Sequence, residues 1–227
     1  MARKRSYSKY STIGRTRYEI GGHVLKNLLG IRKKHAMERT EYDAFLKTQK
    51  YYYRLFTRDR YPVRVITASL VKEIHKRFLG GIYGWAGQYR RETISKEGIP
   101  FPPAFLPDGT ANIPRLMTEW EDMVRSHTPR KGDPVPDTAR EIAIIHGEFE
   151  MIHPFREGNG RVGRLIVDLI ALRAGYPPLD FNIEAKPENK ARYYAAMRSV
   201  FIEKKYSPLA RIIEEAMDRG IERARRG

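Results

Sequence analysis

MIHPFREGNGRVGR, residues 151–164, decides how this chain is read. Pro154 disfavours helical dihedrals at the residue before it, so the helical text leading up to His153 stops there. Gly158 and Gly160 flank Asn159 in a short turn, and Arg161 opens a new helical pattern, RVGRLIVDLIALRAG, closed by Gly175. The stretch is thus a helix–turn–helix junction, but it also carries chemistry. A helix N-terminus has unpaired backbone N–H groups and a positive partial charge, and both attract anions. Glycines let a phosphate approach the backbone without a Cβ in the way. Arg161 and Arg164, three apart, reach over the same helix end and are bidentate phosphate ligands. Cations in a first turn oppose the helix dipole unless an anion is bound, which favours a ligand. Glu157, a lone carboxylate, suits Mg²⁺, an ion that keeps its waters and takes one or two protein ligands beside phosphates. An imidazole titrates at about 6.5, so His153 can accept a proton from a hydroxyl at neutral pH. Together these groups describe a hydroxyl attacking a magnesium-bound nucleotide phosphate. Phe155 reads as the anchor that fixes the loop to the core.

Working outward, Asp137 is placed to cap TAREIAIIHGEFEMIH, with Ile142, Ile145, Phe149 and Ile152 on the inner face. Arg39–Arg58 lacks Gly and Pro and gathers Phe45, Tyr52, Leu55 and Phe56 on one face until Pro62 breaks it. Thr67 is a candidate cap for ITASLVKEIHKRFLGG, where Leu70, Ile74 and Phe78 recur and Gly80-Gly81 end the helix. Ile113–Ser126 carries Leu116, Trp120, Met123 and Val124 on one face. NKARYYAAMRSVFIEKK and SPLARIIEEAMDRGIERARR are the last two helices. Residues 82–110 differ: short polar–apolar alternation surrounds Lys96-Glu97-Gly98, and four prolines follow. That predicts a small hairpin and an extended loop. The expected fold class is all-α, a helical bundle with one β-hairpin.

At 227 residues the chain holds one domain of moderate size with an appended tail. No run approaches the roughly 20 apolar residues of a membrane span, and the basic N-terminus leads into no apolar signal core. There is no cysteine, which removes thiolate zinc sites, disulfides and cysteine nucleophiles and suits a cytoplasmic address. The formal charge is +16, and residues 1–60 hold sixteen Lys/Arg against five Asp/Glu, a net of +11. Such a face permits binding to nucleic acid or an acidic protein; the plain alternative is a solvated basic surface. Residues 1–17 read as a basic, flexible arm. Walker, zincin and nucleophile-elbow patterns are missing from the sequence.

His153-Pro154-Phe155-Arg156-Glu157-Gly158-Asn159-Gly160-Arg161-x-x-Arg164 resembles the signature of Fic-domain proteins, H-P-F-x-[DE]-G-N-G-R-x-x-R, with no departure at a specified position. VLKNLLGI (24–31), YGWAGQYR (83–90), RAGYPP (173–178) and RYYAAM (192–197) look Fic-like in the same order, so the resemblance covers residues 18–215 and leaves 216–227 as a basic C-terminal helix end or tail. The resemblance implies an all-α bundle with a hairpin flap, and transfer of AMP from ATP to a Ser, Thr or Tyr hydroxyl of a protein. It implies His153 as general base, Glu157 as the Mg²⁺ ligand, Gly158, Asn159, Gly160 and Arg161 around the α- and β-phosphates, and Arg164 on the γ-phosphate. Gly160 separates the chain from the phosphate-transferring relatives, which carry Lys there. The flap, residues 88–101 with Thr93, Ile94, Ser95, Lys96, Glu97 and Gly98 at its tip, is expected to pair with an extended target segment.

Many Fic proteins carry an inhibitory helix of pattern [ST]-x-x-x-E-[GN]. The full match here, Thr93-x-x-x-Glu97-Gly98, falls on the flap, and the near match Ser199-x-x-x-Glu203 ends in Lys204. The expectation is therefore a toxin-type member restrained by a separate small antitoxin. A nucleic-acid-binding regulator with a non-catalytic site, or transfer of a different nucleotide moiety, are the alternatives. His146 reads as a core histidine that can also line the pocket. Tyr193 and Tyr194 read as packing with an adenine contact as the alternative, Tyr51-Tyr52-Tyr53 with Arg54 as packing over base stacking, and Trp85 as support for the flap.

Overall fold

The computed structural model describes residues 11–12, 24–57, 66–96, 99–183 and 186–226. Among them lie seven helices: α1 (Lys34–Phe56), α2 (Ala68–Leu79), α3 (Asn112–His127), α4 (Val135–Ile152), α5 (Asn159–Arg173), α6 (Pro187–Glu203) and α7 (Ser207–Arg226). Three short strands, β1 (Ser11–Thr12), β2 (Ile94–Lys96) and β3 (Ile99–Pro100), form an antiparallel sheet in that order. The fold is all-α with a hairpin, as the sequence implies. Glu97, Gly98, Arg58, Pro62 and the N-terminal arm apart from Ser11–Thr12 lie outside the described residues.

Several boundaries differ from expectation, among them the start of α1 at Lys34 rather than Arg39. Helix α4 starts at Val135, so Asp137 sits inside the first turn and accepts from Arg140 Nη1 at 3.0 Å instead of capping. Pro136 allows this, because a first-turn residue needs no N–H partner. Helix α5 starts at Asn159, two residues before Arg161. Helix α7 spans Ser207–Arg226 as the pattern predicts, and its Ala216, Met217 and Gly220 are buried.

The described residues fall into two compact units. The first takes those of Met1–Lys50, Ala68–Thr118 and Ile152–Asn159. Its core gathers Val71, Ile74, Phe78 and Leu79 of α2 with Ile94, Ile113 and Met117, and Phe45 meets Phe78 edge to face at 5.2 Å. Tyr83 stacks on Trp85 at 4.7 Å and donates its hydroxyl to Glu41 at 2.7 Å.

The second unit takes those of Tyr51–Thr67, Glu119–Met151 and Gly160–Gly227. Helix α5 is apolar around most of its circumference, with Val162, Leu165, Ile166, Val167, Leu169, Ile170 and Ala171 all buried, which marks it as a central helix. Trp120 packs on Phe149 at 5.6 Å and donates Nε1–H to the Ile145 carbonyl at 3.1 Å. Tyr52 is buried, and Tyr53 donates to Asp168 at 2.5 Å, so these two tyrosines are structural. Among the described residues no helix is long and apolar enough to cross a membrane.

Two buried ionisable groups in this unit pull stability in opposite directions. Burial raises the Asp168 carboxyl to about 7, against the lowering effect of bonds from Tyr53 and the Leu179 N–H. An unfolded Asp titrates at about 3.9. Between those values the folded state holds a proton that the unfolded chain has released, so Asp168 withdraws stability as pH rises. Burial, with the Arg164 charge, lowers His146 to about 3, so it withdraws stability as pH falls below about 6.5. The two slopes offset between about pH 4 and 6.5. Asp168→Asn is expected to gain stability relative to the unaltered chain as pH rises from 4 to 7, by up to about 1.4 kcal/mol per pH unit. Urea titrations across that range check it; a pH-independent difference would refute the assignment.

Candidate active site

The first unit builds the loop that carries the histidine. Pro154 stops α4 at Ile152, and His153 takes a left-handed conformation, φ 50°. A non-glycine residue there is strained by roughly 1–3 kcal/mol and persists only where its surroundings enforce it. Buried Arg90 enforces it: Nε donates to the His153 carbonyl at 2.8 Å, and Nη2 to the Ile152 carbonyl at 3.2 Å. The Arg90 backbone N–H reaches the Pro154 carbonyl at 2.8 Å. The same guanidinium grips both roots of the flap, donating to the carbonyls of Glu92 at 2.8 Å and Pro102 at 2.7 Å. Burial lowers Arg90 to about 10, with Glu92 opposing; it remains a cation at neutral pH. The His153 imidazole is buried and stacks on Phe101, at the flap's downstream end, with centroids 4.1 Å apart.

Next along the chain, Phe155 is fully buried and stacks on His75 at 3.8 Å, the anchor expected of it. His75 is held in turn by the Gly87 N–H at 2.8 Å and makes a 3.0 Å contact to the Glu157 carbonyl. Arg156, an unspecified position in the motif, lies 3.6 Å from the Glu92 carboxylate and 6.0 Å over the Trp85 ring. Trp85 thus supports the flap root. Glu157 is half-buried, and its carboxylate accepts the Gly158 N–H at 2.8 Å. Gly158 has φ 86°, and a Cβ there would stand 3.1 Å from Leu79 and 3.2 Å from Phe78, so both conformation and space demand glycine.

Asn159 is fully buried. Its side chain closes the loop on Phe155, accepting from that residue's N–H at 2.8 Å and donating to its carbonyl at 2.7 Å. The amide side chain is therefore committed to the loop, and only the backbone N–H of Asn159 is left for a phosphate.

Helix α5 carries Gly160, Arg161 and Arg164 into the second unit. Arg164 curls back along the helix: its Nη1 lies 3.3 Å from where a Gly160 Cβ would be. It donates a hydrogen bond to Tyr193, whose hydroxyl meets His146 Nε2 at 2.7 Å. Burial raises Tyr193 well above a phenol's ordinary value, and the Glu150 charge adds to the shift, so its hydroxyl stays neutral. Glu150 is buried in the same cluster, 3.9 Å from the Gly160 Cβ position. His146 and Tyr193 thus hold Arg164, while Tyr194 is half exposed. Arg161 is half-buried.

Thr93 precedes and Ile94, Ser95 and Lys96 form the first strand of the hairpin, with Ile94 buried and the other three half-buried. Since Ile94–Lys96 are strand, the pattern running from Thr93 to Glu97 does not begin in a helix. Ser199 and Glu203 lie within α6. Arg90, Phe101 and Glu150 had no sequence signal of their own; Tyr193 and His146 were singled out, but their bond to the motif arginine was not.

This arrangement, a histidine at a helix end followed by a glycine loop and an arginine-bearing helix start, has relatives. Residues 65–171, just under half of the chain, match the profile of the Fic/DOC family. A protein named protein adenylyltransferase Fic from Aedes aegypti is 29% identical over 158 residues, 69% of this chain and 29% of that protein. One of the same name from Drosophila willistoni is 31% identical over 130 residues, 57% of this chain and 23% of the other. The chain therefore spans less than a third of the length of these curated relatives. Among solved structures, the Bartonella tribocorum effector BepC with bound AMPPNP aligns with a TM-score of 0.65 at 22% identity, covering 87% of this chain and 93% of that one. The N-terminal FIC domain of Bep8 from Bartonella sp. 1-1C aligns with a TM-score of 0.68 at 20% identity, covering 89% and 94%. At these identities the likeness is one of fold.

Asn159→Ala strands the buried N–H and C=O of Phe155. The expected loss is about 2–4 kcal/mol of unfolding free energy in urea, from two unsatisfied backbone groups. A loss below about 0.5 kcal/mol would mean that the loop does not depend on this side chain.

Proposed function

We propose that the chain is a protein adenylyltransferase, moving AMP from ATP to a Ser, Thr or Tyr hydroxyl of a protein. The observation that carries this reading is the continuous run from a buried histidine, fixed in space by Arg90 and Phe101, into a glycine loop and a helix start bearing two arginines. The first-turn N–H groups of α5 and the guanidinium groups of Arg161 and Arg164 suit a chain of phosphates. Arg164, oriented by Tyr193 and His146, takes the far end of the triphosphate. The target hydroxyl gives its proton to His153 as its oxygen bonds the α-phosphorus. The bond from that phosphorus to the bridging oxygen breaks, and pyrophosphate leaves.

Among the described residues no cluster of three or more His, Asp or Glu could hold a metal. A lone carboxylate is nevertheless the donor set that Mg²⁺ uses beside phosphates, and Glu157 is half-buried at the mouth of the loop, so the residues fit that ion. Bound there, Mg²⁺ would neutralise phosphate charge. Gly160 stands where, by the Fic resemblance, the phosphate-transferring relatives carry Lys, which supports nucleotidyl transfer.

In this reading the flap receives an extended segment of the target. The chain works in the cytoplasm as a toxin-type enzyme, held in check by a separate small antitoxin. Within this chain the full match to the inhibitory pattern, Thr93 to Gly98, runs into a strand rather than a helix, which supports that arrangement.

With Mg²⁺, bacterial lysate and ATP labelled at the α-phosphate, the purified chain is expected to label protein. His153→Ala should reduce labelling by about 10²–10⁴-fold, the usual worth of a positioned general base. Unchanged labelling would remove His153 from the role, and label arriving only from the γ-phosphate would make the reaction phosphoryl transfer.

A further inference from the structure

The flap has two outer edges, and its sequence closes one. In an antiparallel ladder, successive residues turn their N–H and C=O groups alternately toward one neighbour and then the other. Phe101 donates its N–H to the Ile94 carbonyl at 3.1 Å, and the register pairs Lys96 with Ile99 and Ser95 with Pro100. Residues 94 and 96 of β2 therefore face residues 101 and 99. The groups that would face outward from β3 and its continuation belong to Pro100 and Pro102. Neither has an N–H, and the Pro102 carbonyl already accepts from Arg90. No strand can form a ladder on that side.

The opposite edge is competent. Ser95 turns its N–H and C=O outward from β2, and there the chain supplies its own strand: Ser11 pairs with Ser95 and Thr12 with Ile94, antiparallel. By the same alternation Ser11 makes the hydrogen-bonded pair, and the N–H of Thr12 points away.

We propose that the outer edge of β2 is the flap's one strand-docking surface, and that residues 11–12 are its resting occupant, an intramolecular competitor for the extended segment of a target protein. This rests on the reading that targets dock on the flap. Among the described residues the occupant pairs over Ser11 and Thr12, and a target that cannot pair as an extended strand gains no place at Ser95. The N-terminal segment thereby sets a threshold of affinity that targets must exceed.

Register makes the test specific. Ser11→Pro removes the N–H that faces Ser95, whereas Thr12→Pro removes one that faces away. In Ser11→Pro, hydrogen exchange of the Ser95 amide is expected to rise at least tenfold. The initial rate of α-phosphate labelling in dilute bacterial lysate is expected to rise several-fold, converging on the unaltered rate as lysate is concentrated. ATP affinity should not change, and Thr12→Pro should match the unaltered chain in every measurement. Unchanged Ser95 exchange, equal effects of the two prolines, or a labelling rate indifferent to Ser11→Pro would each overturn the proposal. If Ser95 exchange responds as stated but no variant labels any protein, the transferase reading fails while the resting occupant on β2 stands.

Discussion

One guanidinium sets the geometry of the histidine loop. Arg90 is buried, and its side chain gathers four carbonyls, from Glu92, Pro102, Ile152 and His153, with its own N–H on a fifth, that of Pro154. Burying a cation is unfavourable unless it is fully hydrogen-bonded, and here charge-assisted bonds offset that penalty well enough to keep it protonated. The arrangement resolves three local problems at once. It satisfies carbonyls at the end of α4, which no further helical turn can satisfy. It stabilises the left-handed backbone of His153. It also ties the roots of the hairpin to the loop carrying that histidine, so that Phe101 stays stacked on the imidazole.

The second unit solves a different problem, that of fixing a positive charge beside a helix start. Helix α5 cannot shift, since apolar side chains bury nearly its whole circumference. Its arginine at 164 is turned back along the helix by Tyr193 and His146, with a carboxylate, Glu150, in the same buried cluster. His146 stays neutral there because burial and the Arg164 charge both disfavour its protonation. A neutral imidazole and a neutral phenol thus orient the guanidinium in the cluster that also holds Glu150.

How far this was legible in the sequence follows from the kind of interaction involved. Helices whose ends depend on local chemistry came through: α7 begins and ends where the pattern says, and Pro154 stops α4 as its ring requires. The start of α5 was misplaced because Asn159 spends its side chain on Phe155, four residues back, and so admits two more residues to the helix. Asp137 looked like a cap because carboxylates usually are, but Pro136 supplies a preset first turn instead. Arg90 was invisible for a deeper reason. All its partners are main-chain carbonyls, and these leave no trace in the identities of the residues that own them. The same holds for β1, a polar stretch with no periodicity whose strand character comes from the edge it lies on.

Gly163 looks incidental, an unspecified position between the two motif arginines. Yet a Cβ built there would stand 2.7 Å from the Glu150 carboxylate, 3.0 Å from the Phe149 ring and 3.1 Å from His146. Helices α4 and α5 therefore approach to a separation that one missing methyl group makes possible. Interiors packed at crystal-like density do not absorb such an intrusion. A side chain at 163 would therefore press on the Phe149 ring and on the His146 imidazole, and through His146 on the Tyr193 hydroxyl bonded to it.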